Sequence, residues 1–454
     1  MTRDMTAGNP LRLIWQFSIP LVFGNLFQQM YNMIDTIIVG RYLGLMALTA
    51  VGATSSIMFL IIGFCFGTCS GMGVPVAQQF GAKDYSSMRR YVMNAAYLSI
   101  LIAVAITVAM ALLCDNILLW MSTPEELFAQ SYRYLLIIFL GLPFTILYNV
   151  TSAIIRALGD SKTPFYFLIL STILNIVLDL IFIIVFQMGV AGAALATIAA
   201  QAASGVLCLI YMVKKYDILR CEKEERQFKP ACIGNLVKIS VPMGLQFSIT
   251  AIGSIMLQSA VNTLGAVFVS AYTAALKVKQ LAMSPFDAFA TAASTFGSQN
   301  LGARQFKRIR QGVSCSVLIA LIYAISIGIV LVLAGSKIAL LFVDAEETVV
   351  LGYVQQQLTF AGMFFWLLAF LNCIRLAIQG LGYGAVAMFA GCSELVARGC
   401  MSLFAIPVHG YDAVCHTDPM AWAAATAVVI PLFCIILRRL ERKHLGKPLA
   451  KCAG

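Results

Sequence analysis

Residues 13–38, LIWQFSIPLVFGNLFQQMYNMIDTII, form an apolar run long enough to cross a lipid bilayer as one helix, and Asp35 is its only charged residue. Similar runs recur along the 454-residue chain, which is 60% hydrophobic and only 11% charged, with a mean hydropathy of +0.88. Soluble proteins carry about 25% charged residues. The composition therefore indicates an integral membrane protein and excludes soluble enzymes, nucleic-acid-binding proteins and secreted domains.

Twelve apolar runs of this kind can be placed along the chain. They lie at 13–38, 47–72, 91–113, 130–154, 164–186, 190–213, 236–262, 268–296, 312–334, 351–377, 384–408 and 419–437. Such long, continuous runs are typical of helices, which satisfy their own backbone hydrogen bonds in lipid, and they exclude the alternating strands of a membrane barrel. The sequence thus predicts an all-α integral membrane protein with twelve transmembrane helices.

The positions of the basic residues predict how these helices are oriented. With both termini cytoplasmic, 24 of the 31 Lys and Arg residues lie in cytoplasmic segments, and only Arg41, Arg133 and Lys337 lie in external ones. A bias of this size is the usual record of membrane insertion. We therefore expect a multi-pass protein of the plasma (inner) membrane with both termini in the cytoplasm.

Short motifs recur in the second half of the chain at the equivalent helix boundaries. Ser18-Ile19-Pro20 returns as Ser240-Val241-Pro242, and Gly81-Ala82-Lys83 returns as Gly302-Ala303-Arg304. Six spans repeated from the same side predict two six-helix lobes related by a pseudo-two-fold parallel repeat. The predicted division is an N-lobe at 1–213, a cytoplasmic linker loop at 214–235, a C-lobe at 236–437 and a basic cytoplasmic tail at 438–454.

Carboxylates inside the spans are costly and mark candidate functional sites. The predicted spans contain four of them: Asp35, Asp179, Asp287 and Glu394. Glu394 can pair with Arg398 one turn further along the same helix, which favours a structural role. Asp35 and Asp179 have no basic residue placed beside them. This difference between two otherwise similar halves predicts an ion-coupling site in the first half.

Uncharged polar residues accompany the two N-terminal aspartates. Span one carries a stripe on one helix face, made of Asn25, Gln28, Asn32 and Asp35, and such a stripe is expected to face the bundle interior. Span five places Asn175 one turn before Asp179. Spans four and six add Asn149, Ser152, Thr197 and Gln201. The alternative interpretation is that these residues only hold the N-lobe together by interhelical hydrogen bonds.

Span eight carries charges of its own. Asp287 follows Pro285, and Lys277 and Lys279 lie one to two turns before it. This cluster either lines a cleft between the lobes or forms a structural salt bridge, and the sequence leaves both interpretations open.

The sequence lacks the motifs of enzymes and metal sites. It has no GxxxxGK[ST] phosphate-binding loop and no HExxH motif, and its 13 cysteines form no CxxC pair. Its three histidines are scattered. We therefore expect no enzymatic activity, no cofactor and no dedicated metal site.

Several segments, in this order on twelve spans, resemble the multidrug and toxic compound extrusion (MATE) transporters over residues 10–440. They are Met33-Ile34-Asp35-Thr36, Gly40-Arg41-Tyr42-Leu43-Gly44, Gln78-Gln79-Phe80-Gly81-Ala82, Arg156-Ala157-Leu158-Gly159-Asp160, Asn175-Ile176-Val177-Leu178-Asp179 and Gln299-Asn300-Leu301-Gly302-Ala303. The chain looks most like the prokaryotic branch of DNA-damage-inducible type. The resemblance implies a two-lobed, monomeric antiporter that exports organic, often cationic, compounds by alternating access.

In that branch the coupling site lies in the N-lobe. By resemblance the ion-coupling residues are Asp35, Asp179, Asn175, Thr197, Tyr31 and Asn149. Another branch uses a glutamate on helix seven, where this chain has Thr250. A substrate cavity is expected between the lobes, lined by spans one, two, seven and eight. Its candidate polar residues are Gln28, Asn32, Ser152, Gln201 and Asp287.

Protons are the favoured coupling ion. Two carboxylates in a low-dielectric bundle repel one another, so they would share protons and titrate as one unit. Sodium is the alternative, because Asp35 and Asp179 with nearby Asn and Thr oxygens also suit a hard cation. A flippase for a lipid-linked sugar ranks behind, because only Lys277 and Lys279 could line the basic cavity that it needs. A receptor without transport activity would not require paired aspartates.

Overall fold

The structure is a computed structural model that describes residues 2–121 and 123–444, and within these ranges the chain is helical without strands. The helical run Pro10–Gly81 breaks at Gly44, whose φ of 84° is one that L side chains rarely adopt, into α1 (10–43) and α2 (45–81). The other helices are α3 Tyr85–Trp120, α4 Glu125–Ala157, α5 Lys162–Leu180 with a π-helical turn Ile181–Val185, α6 Val190–Lys215, α7 Pro230–Asn262, α8 Ala266–Gly302, α9 Phe306–Ala339, α10 Thr348–Gly380, α11 Gly384–Cys400 with a π-helical turn Met401–Ala405 and a last turn Ile406–His409, and α12 Tyr411–His444.

These helices confirm the predicted twelve spans. Ten helical stretches of the described residues are long and apolar enough to cross a membrane, and the 72-residue run Pro10–Gly81 among them supplies two crossings. The remaining crossing is α8, which is less apolar because it carries Lys277, Lys279 and Asp287. The predicted tail 438–454 begins inside α12, and residues 445–454 lie outside the described part of the chain.

The same pairs of helices pack in both halves, which confirms the parallel repeat. In the first half α2 and α3 pack against α4, α1 packs against α5, and α5 against α6. In the second half α8 and α9 pack against α10, α7 against α11, and α11 against α12. The two six-helix lobes are therefore built to one plan and are related by a pseudo-two-fold axis.

The lobes meet where small residues allow helix backbones to approach closely. On α2, a Cβ at Gly71 would lie 2.5 Å from the Cα of Ser240 on α7. A Cβ at Gly244 on α7 would lie 2.8 Å from the carbonyl oxygen of Phe64 on α2. Van der Waals packing of this kind drives helix association in lipid, where the hydrophobic effect contributes little.

Both ends of the described chain lie at one face of the bundle, here called the terminal face. Arg310 at the start of α9 pairs with Glu441 at the end of α12 at 2.8 Å. Arg308 on α9 donates through Nη1 to the carbonyl oxygen of Gly8, which precedes α1, at 2.9 Å.

Two glutamines close the terminal face in a symmetric way. Gln78 at the end of α2 donates through Nε2 to the carbonyl oxygen of Gly380 at 3.1 Å, so it crosses to the C-lobe. Gln299 at the end of α8 donates through Nε2 to the carbonyl oxygen of Ala157 at 2.9 Å, so it crosses to the N-lobe. The equivalent residues of the two repeats thus make the same bond in opposite directions.

Glycines make this closure possible. A Cβ at Gly81 would lie 1.9 Å from the carbonyl oxygen of Gln299, and a Cβ at Gly302 would lie 1.8 Å from that of Gln78. No side chain fits at either position without moving the backbones apart. The motif that revealed the repeat in the sequence is therefore the contact that seals the lobes together.

The loop between the lobes lies on the N-lobe. The linker was predicted at 214–235, but α6 extends to Lys215 and α7 begins at Pro230. Within the loop, Glu225 accepts from both Arg89 Nε at 2.6 Å and Arg89 Nη2 at 2.7 Å. This bidentate pair with α3 lowers the pKa of Glu225 to about 2.

We expect Glu225→Gln to lower the stability of the detergent-solubilised protein by about 2 kcal/mol at pH 7, because it removes charge-assisted hydrogen bonds to Arg89. A depressed pKa contributes stability that is present above the ordinary carboxyl pKa and is lost as the pH falls towards about 2. The stability difference between wild type and variant should therefore shrink between pH 5 and pH 3, as followed by thermal unfolding. A difference that stays constant over this range would contradict the assignment.

Candidate functional site

A pair of carboxyl groups lies at the centre of the N-lobe. The side chains of Asp35 on α1 and Asp179 on α5 lie next to one another. Asp179 is fully buried, directly before the π-helical turn Ile181–Val185, and Asp35 is half-buried. Oxygen Oδ1 of each residue is shielded from solvent and has no hydrogen-bond partner among the described residues. These two oxygens are available to a proton or to a hard cation.

Three further predicted residues surround the pair. With its amide oriented to satisfy both neighbours, Asn175 donates to Oδ2 of Asp179 at 2.9 Å and accepts from the backbone N–H of Thr197 at 3.2 Å. The hydroxyl of Tyr31 lies 3.3 Å from Oγ1 of Thr197. Helices α1, α5 and α6 thus bring together Tyr31, Asp35, Asn175, Asp179 and Thr197 as one hydrogen-bonded group.

An apolar cluster encloses these polar residues. Its members near the two carboxyl groups include Ile34, Ile38, Tyr134, Ile138, Ile176 and Ile183. Tyr134 on α4 is close enough to interact electrostatically with Asp35 and Asp179, and it is not among the residues predicted from the sequence. An aromatic residue in an apolar span carries no local signal of such a role, because only the packing of α4 against α1 and α5 places it there.

Three of the predicted residues lie elsewhere in the N-lobe. Asn149 donates to the carbonyl oxygen of Thr145 on its own helix at 2.8 Å. Gln201 on α6 is hydrogen-bonded to the hydroxyl of Thr145. Ser152 is fully buried beside Tyr148. These residues form a second polar group between α4 and α6, and the structure gives none of them a contact with the carboxyl pair.

The polar stripe on α1, which was expected to face the bundle interior, lies in more than one environment. Gln28 and Asn32 are exposed. Asn25 donates to the carbonyl oxygen of Ser284 on α8 at 3.0 Å, so it contacts the opposite lobe. Asp35, in this stripe, lies beside Asp179 on α5, whereas Asn25 contacts the C-lobe.

The C-lobe contains a chain of linked acidic and basic residues instead of an isolated acid pair. Asp287, which is exposed, accepts at Oδ1 from Asn372 at 3.2 Å. The amide oxygen of Asn372 accepts from Arg375 Nη2 at 2.6 Å, and Arg375 Nη1 binds Glu394 at 2.7 Å. A salt bridge between Asp287 and Lys279 was one of the two sequence interpretations, and the structure pairs Lys279 elsewhere.

The same chain continues to α12 and returns to α8. Arg398 binds Glu394 at 3.4 Å and Asp418 at 3.2 Å, and Asp418 also binds Lys279. The expected Glu394–Arg398 pair is therefore present but belongs to a larger network. Asp418 was missed, because the apolar run predicted at 419–437 starts one residue after it. Two buried cations neutralise Asp418, which allows α12 to begin before that run.

We expect Asp418→Asn to destabilise the protein by about 3–5 kcal/mol, because it leaves Lys279 buried without a counter-ion. Thermal unfolding in detergent should show a large loss for this variant. The same substitution at Asp412, an exposed residue of the same helix, should change little. Equal stabilities for the two variants would contradict the structural role of the network.

Within residues 2–121 and 123–444, no three His, Cys, Asp or Glu side chains come together as a metal centre would require. The carboxyl pair with Asn175, Thr197 and Tyr31 offers oxygen atoms of the kind that a hard cation prefers.

Twelve helices in two lobes, with polar residues buried between helices, define a multi-pass membrane transporter. A sequence profile described as MatE matches residues 20–181 and 242–398. The chain belongs to the MatE family, which confirms the resemblance seen in the sequence.

Relatives of known name agree with this assignment. The chain is 33% identical to the "Probable multidrug resistance protein YpnP" of Bacillus subtilis (strain 168) over 310 residues, which cover 67% of this chain and 68% of that one. It is 25% identical to the "Multidrug export protein MepA" of Staphylococcus haemolyticus (strain JCSC1435) over 380 residues, 83% of each chain.

Solved structures share the fold. "Crystal structure of MATE in complex with MaL6" matches with a TM-score of 0.91 at 23% identity, covering 97% of this chain and 99% of that one. "Outward-facing conformation of a multidrug resistance MATE family transporter of the MOP superfamily" matches with a TM-score of 0.90 at 24% identity, covering 96% and 98%.

Proposed function

We propose that this protein is a secondary antiporter that exports organic, often cationic, compounds in exchange for protons. The named relatives are multidrug resistance and multidrug export proteins, which supports the substrate class. The closed contact between the lobes at one face supports alternating access, since a two-lobed transporter closes one side of its cavity while the other is open.

The contact between Asp35 and Asp179 is the observation that carries proton coupling. An ionised carboxylate can only accept hydrogen bonds. Two neighbouring carboxyl groups can therefore form a hydrogen bond with one another only when at least one of them holds a proton. No Lys or Arg nitrogen of the described residues lies within 4 Å of either group, so protonation is the means by which this buried pair becomes less charged.

The exchange follows from charge repulsion. With a proton shared, the N-lobe closes around Asp35 and Asp179, with Asn175, Thr197 and Tyr31 hydrogen-bonded beside them. Loss of the proton leaves two buried negative charges that repel one another. This charged form favours the binding of a cationic compound. Substrate binding and protonation of the pair therefore oppose one another.

Substrate is proposed to bind between the lobes, where α1 and α2 face α7 and α8. Gln28 and Asn32 on α1 and Asp287 on α8 are exposed and are the polar candidates for that cavity. Ser152 and Gln201 lie deeper in the N-lobe and are proposed to shape its wall. Sodium remains the alternative ion, because the unpartnered oxygens of the pair suit a hard cation.

The terminal face is proposed to be cytoplasmic, as the basic residues predict. Closure at this face then makes the structure an outward-facing state, in which protons enter from outside. The protein is proposed to act as a monomer in the plasma membrane.

We expect Asp35→Asn and Asp179→Asn each to abolish gradient-driven export, because an amide cannot take up and release the coupled proton. Export of a panel of cationic dyes from proteoliposomes, under an imposed pH gradient without sodium, measures this. Asp115→Asn is the matched control, since Asp115 is an exposed carboxylate of the same lobe and its variant should export normally.

Wild-type rates in both site variants would refute the site. Export driven by a sodium gradient at equal pH on both sides would keep the site but replace the ion.

A further inference from the structure

The segment that leads into α1 crosses to the C-lobe. Met5 is fully buried, and its backbone N–H donates to Oε1 of Gln299 at 2.9 Å. The carbonyl oxygen of Met5 accepts from Asn300 Nδ2 at 3.2 Å and from Arg308 Nη2 at 3.1 Å. Arg308 also holds the carbonyl oxygen of Gly8 at 2.9 Å. Residues 3–8 are here called the first leader.

The first leader is also bonded to the N-lobe. The backbone N–H of Arg3 donates to the carbonyl oxygen of Leu158 at 2.9 Å. Gly159, with a φ of 83°, leaves room for this contact, since a Cβ there would lie 2.1 Å from the carbonyl oxygen of Arg3. The leader thus bridges both lobes at the terminal face.

The segment that leads into α7 makes the reverse crossing. In residues 222–229, here called the second leader, Glu225 is held by Arg89 on α3. The backbone N–H of Lys229 donates to Oδ1 of Asn94 at 2.9 Å, and the hydroxyl of Tyr97 donates to the carbonyl oxygen of Arg226 at 2.7 Å. All of these α3 residues belong to the N-lobe, while the leader continues into the C-lobe.

The two crossings are related by the repeat. Helix α3 follows α2 in the first half as α9 follows α8 in the second. The leader of each repeat therefore binds the third helix of the other repeat, through an arginine near the start of that helix: Arg308 for the first leader and Arg89 for the second.

The bonds of the two leaders differ in kind. Arg308 binds uncharged backbone carbonyl oxygens of the first leader. Arg89 forms a bidentate ion pair with a carboxylate of which 3% of the surface is exposed, in a loop joined to helices at both ends. The bonds from Arg308 to the first leader are therefore the weaker of the two sets, because their acceptors carry no charge.

The first leader also depends on the closed state. Gln299 accepts from Met5 through Oε1 while it donates through Nε2 to Ala157 of the N-lobe. Separation of the lobes at this face breaks the bond to Ala157 and pulls Gln299, Asn300 and Arg308 away from Leu158, which holds the other end of the leader. No position of residues 3–8 keeps both sets of contacts once the lobes part.

We propose that the first leader is a releasable strap that biases the transporter towards the state closed at the terminal face, and that the second leader is a permanent hinge. This regulation rests on the alternating access of the proposed function. Opening at the terminal face requires the strap to detach from Arg308 and Gln299, whereas the ion pair between Arg89 and Glu225 persists in both states.

The test compares Arg308→Ala with Arg310→Ala, a matched control two residues away whose side chain binds Glu441 within the C-lobe. Hydrogen–deuterium exchange of the purified protein in nanodiscs, without drug or gradient, reports on residues 76–82 and 296–302, where the lobes touch. We expect exchange several-fold faster than wild type in Arg308→Ala and in a variant lacking residues 2–8, and no change in Arg310→Ala. Exchange at wild-type rates in Arg308→Ala would overturn the strap.

A second comparison addresses the hinge. Arg89→Ala should speed exchange in the loop 216–229 but leave 76–82 and 296–302 protected. Faster exchange at the lobe contact in this variant would overturn the division of roles. If the deletion variant loses protection throughout both lobes, Arg308→Ala decides the question alone, since it removes one side chain.

These outcomes separate the strap from the proposed function. Exchange measures the conformational equilibrium and needs no substrate. A wild-type protein that exports no dye, with faster exchange in Arg308→Ala, would refute the antiporter and keep the strap. Dye export by wild type with unchanged exchange in Arg308→Ala would support the antiporter and refute the strap.

Discussion

A charge buried in a membrane helix bundle must be neutralised, and the two lobes meet this requirement differently. In the C-lobe the acids Glu394 and Asp418 are paired with the basic residues Arg375, Arg398 and Lys279. In the N-lobe Asp35 and Asp179 have only each other and neutral hydrogen-bonding groups. The charges of the C-lobe network therefore neutralise one another, whereas the net charge of the N-lobe pair depends on what binds to it.

This difference lies on a symmetric scaffold. The same helix pairs pack in each half, and the same glutamine bonds cross between the lobes at the terminal face. Such a scaffold allows the lobes to rock against each other about a common axis. In the proposed cycle only the N-lobe pair changes charge, so ion binding acts on one lobe of a structurally symmetric pair. The two leaders, which form different kinds of bonds, are a second difference between the halves at the terminal face.

The fold could be predicted almost entirely from the sequence, because apolar runs, basic loops and the recurring Gly-Ala motifs are local signals. Five residues of the candidate coupling site were also named in advance, since a polar residue inside an apolar run stands out. Tyr134 and Asp418 were not. Tyr134 is an aromatic residue in an apolar span, so it has no local signal. Asp418 lies one residue before the apolar run 419–437, although its partners Lys279 and Arg398 are buried.

The orientation of the stripe on α1 and the partner of Lys279 could not be predicted for the same physical reason. Both depend on which neighbouring helix a side chain meets, and periodicity along one helix does not contain that information. Residues 3–8 likewise carry no pattern that would indicate a segment bonded to both lobes. Their role follows only from the backbone groups that Arg308, Gln299 and Leu158 satisfy.

The central claim is that the Asp35–Asp179 pair holds a proton that a cationic substrate displaces. It is tested most directly by measuring proton release when a cationic dye is added to purified transporter in a weakly buffered, sodium-free solution containing a pH indicator. The account predicts that protons are released in step with dye binding by wild type and not by Asp179→Asn. Dye binding without proton release by wild type, or release that persists unchanged in Asp179→Asn, would contradict it.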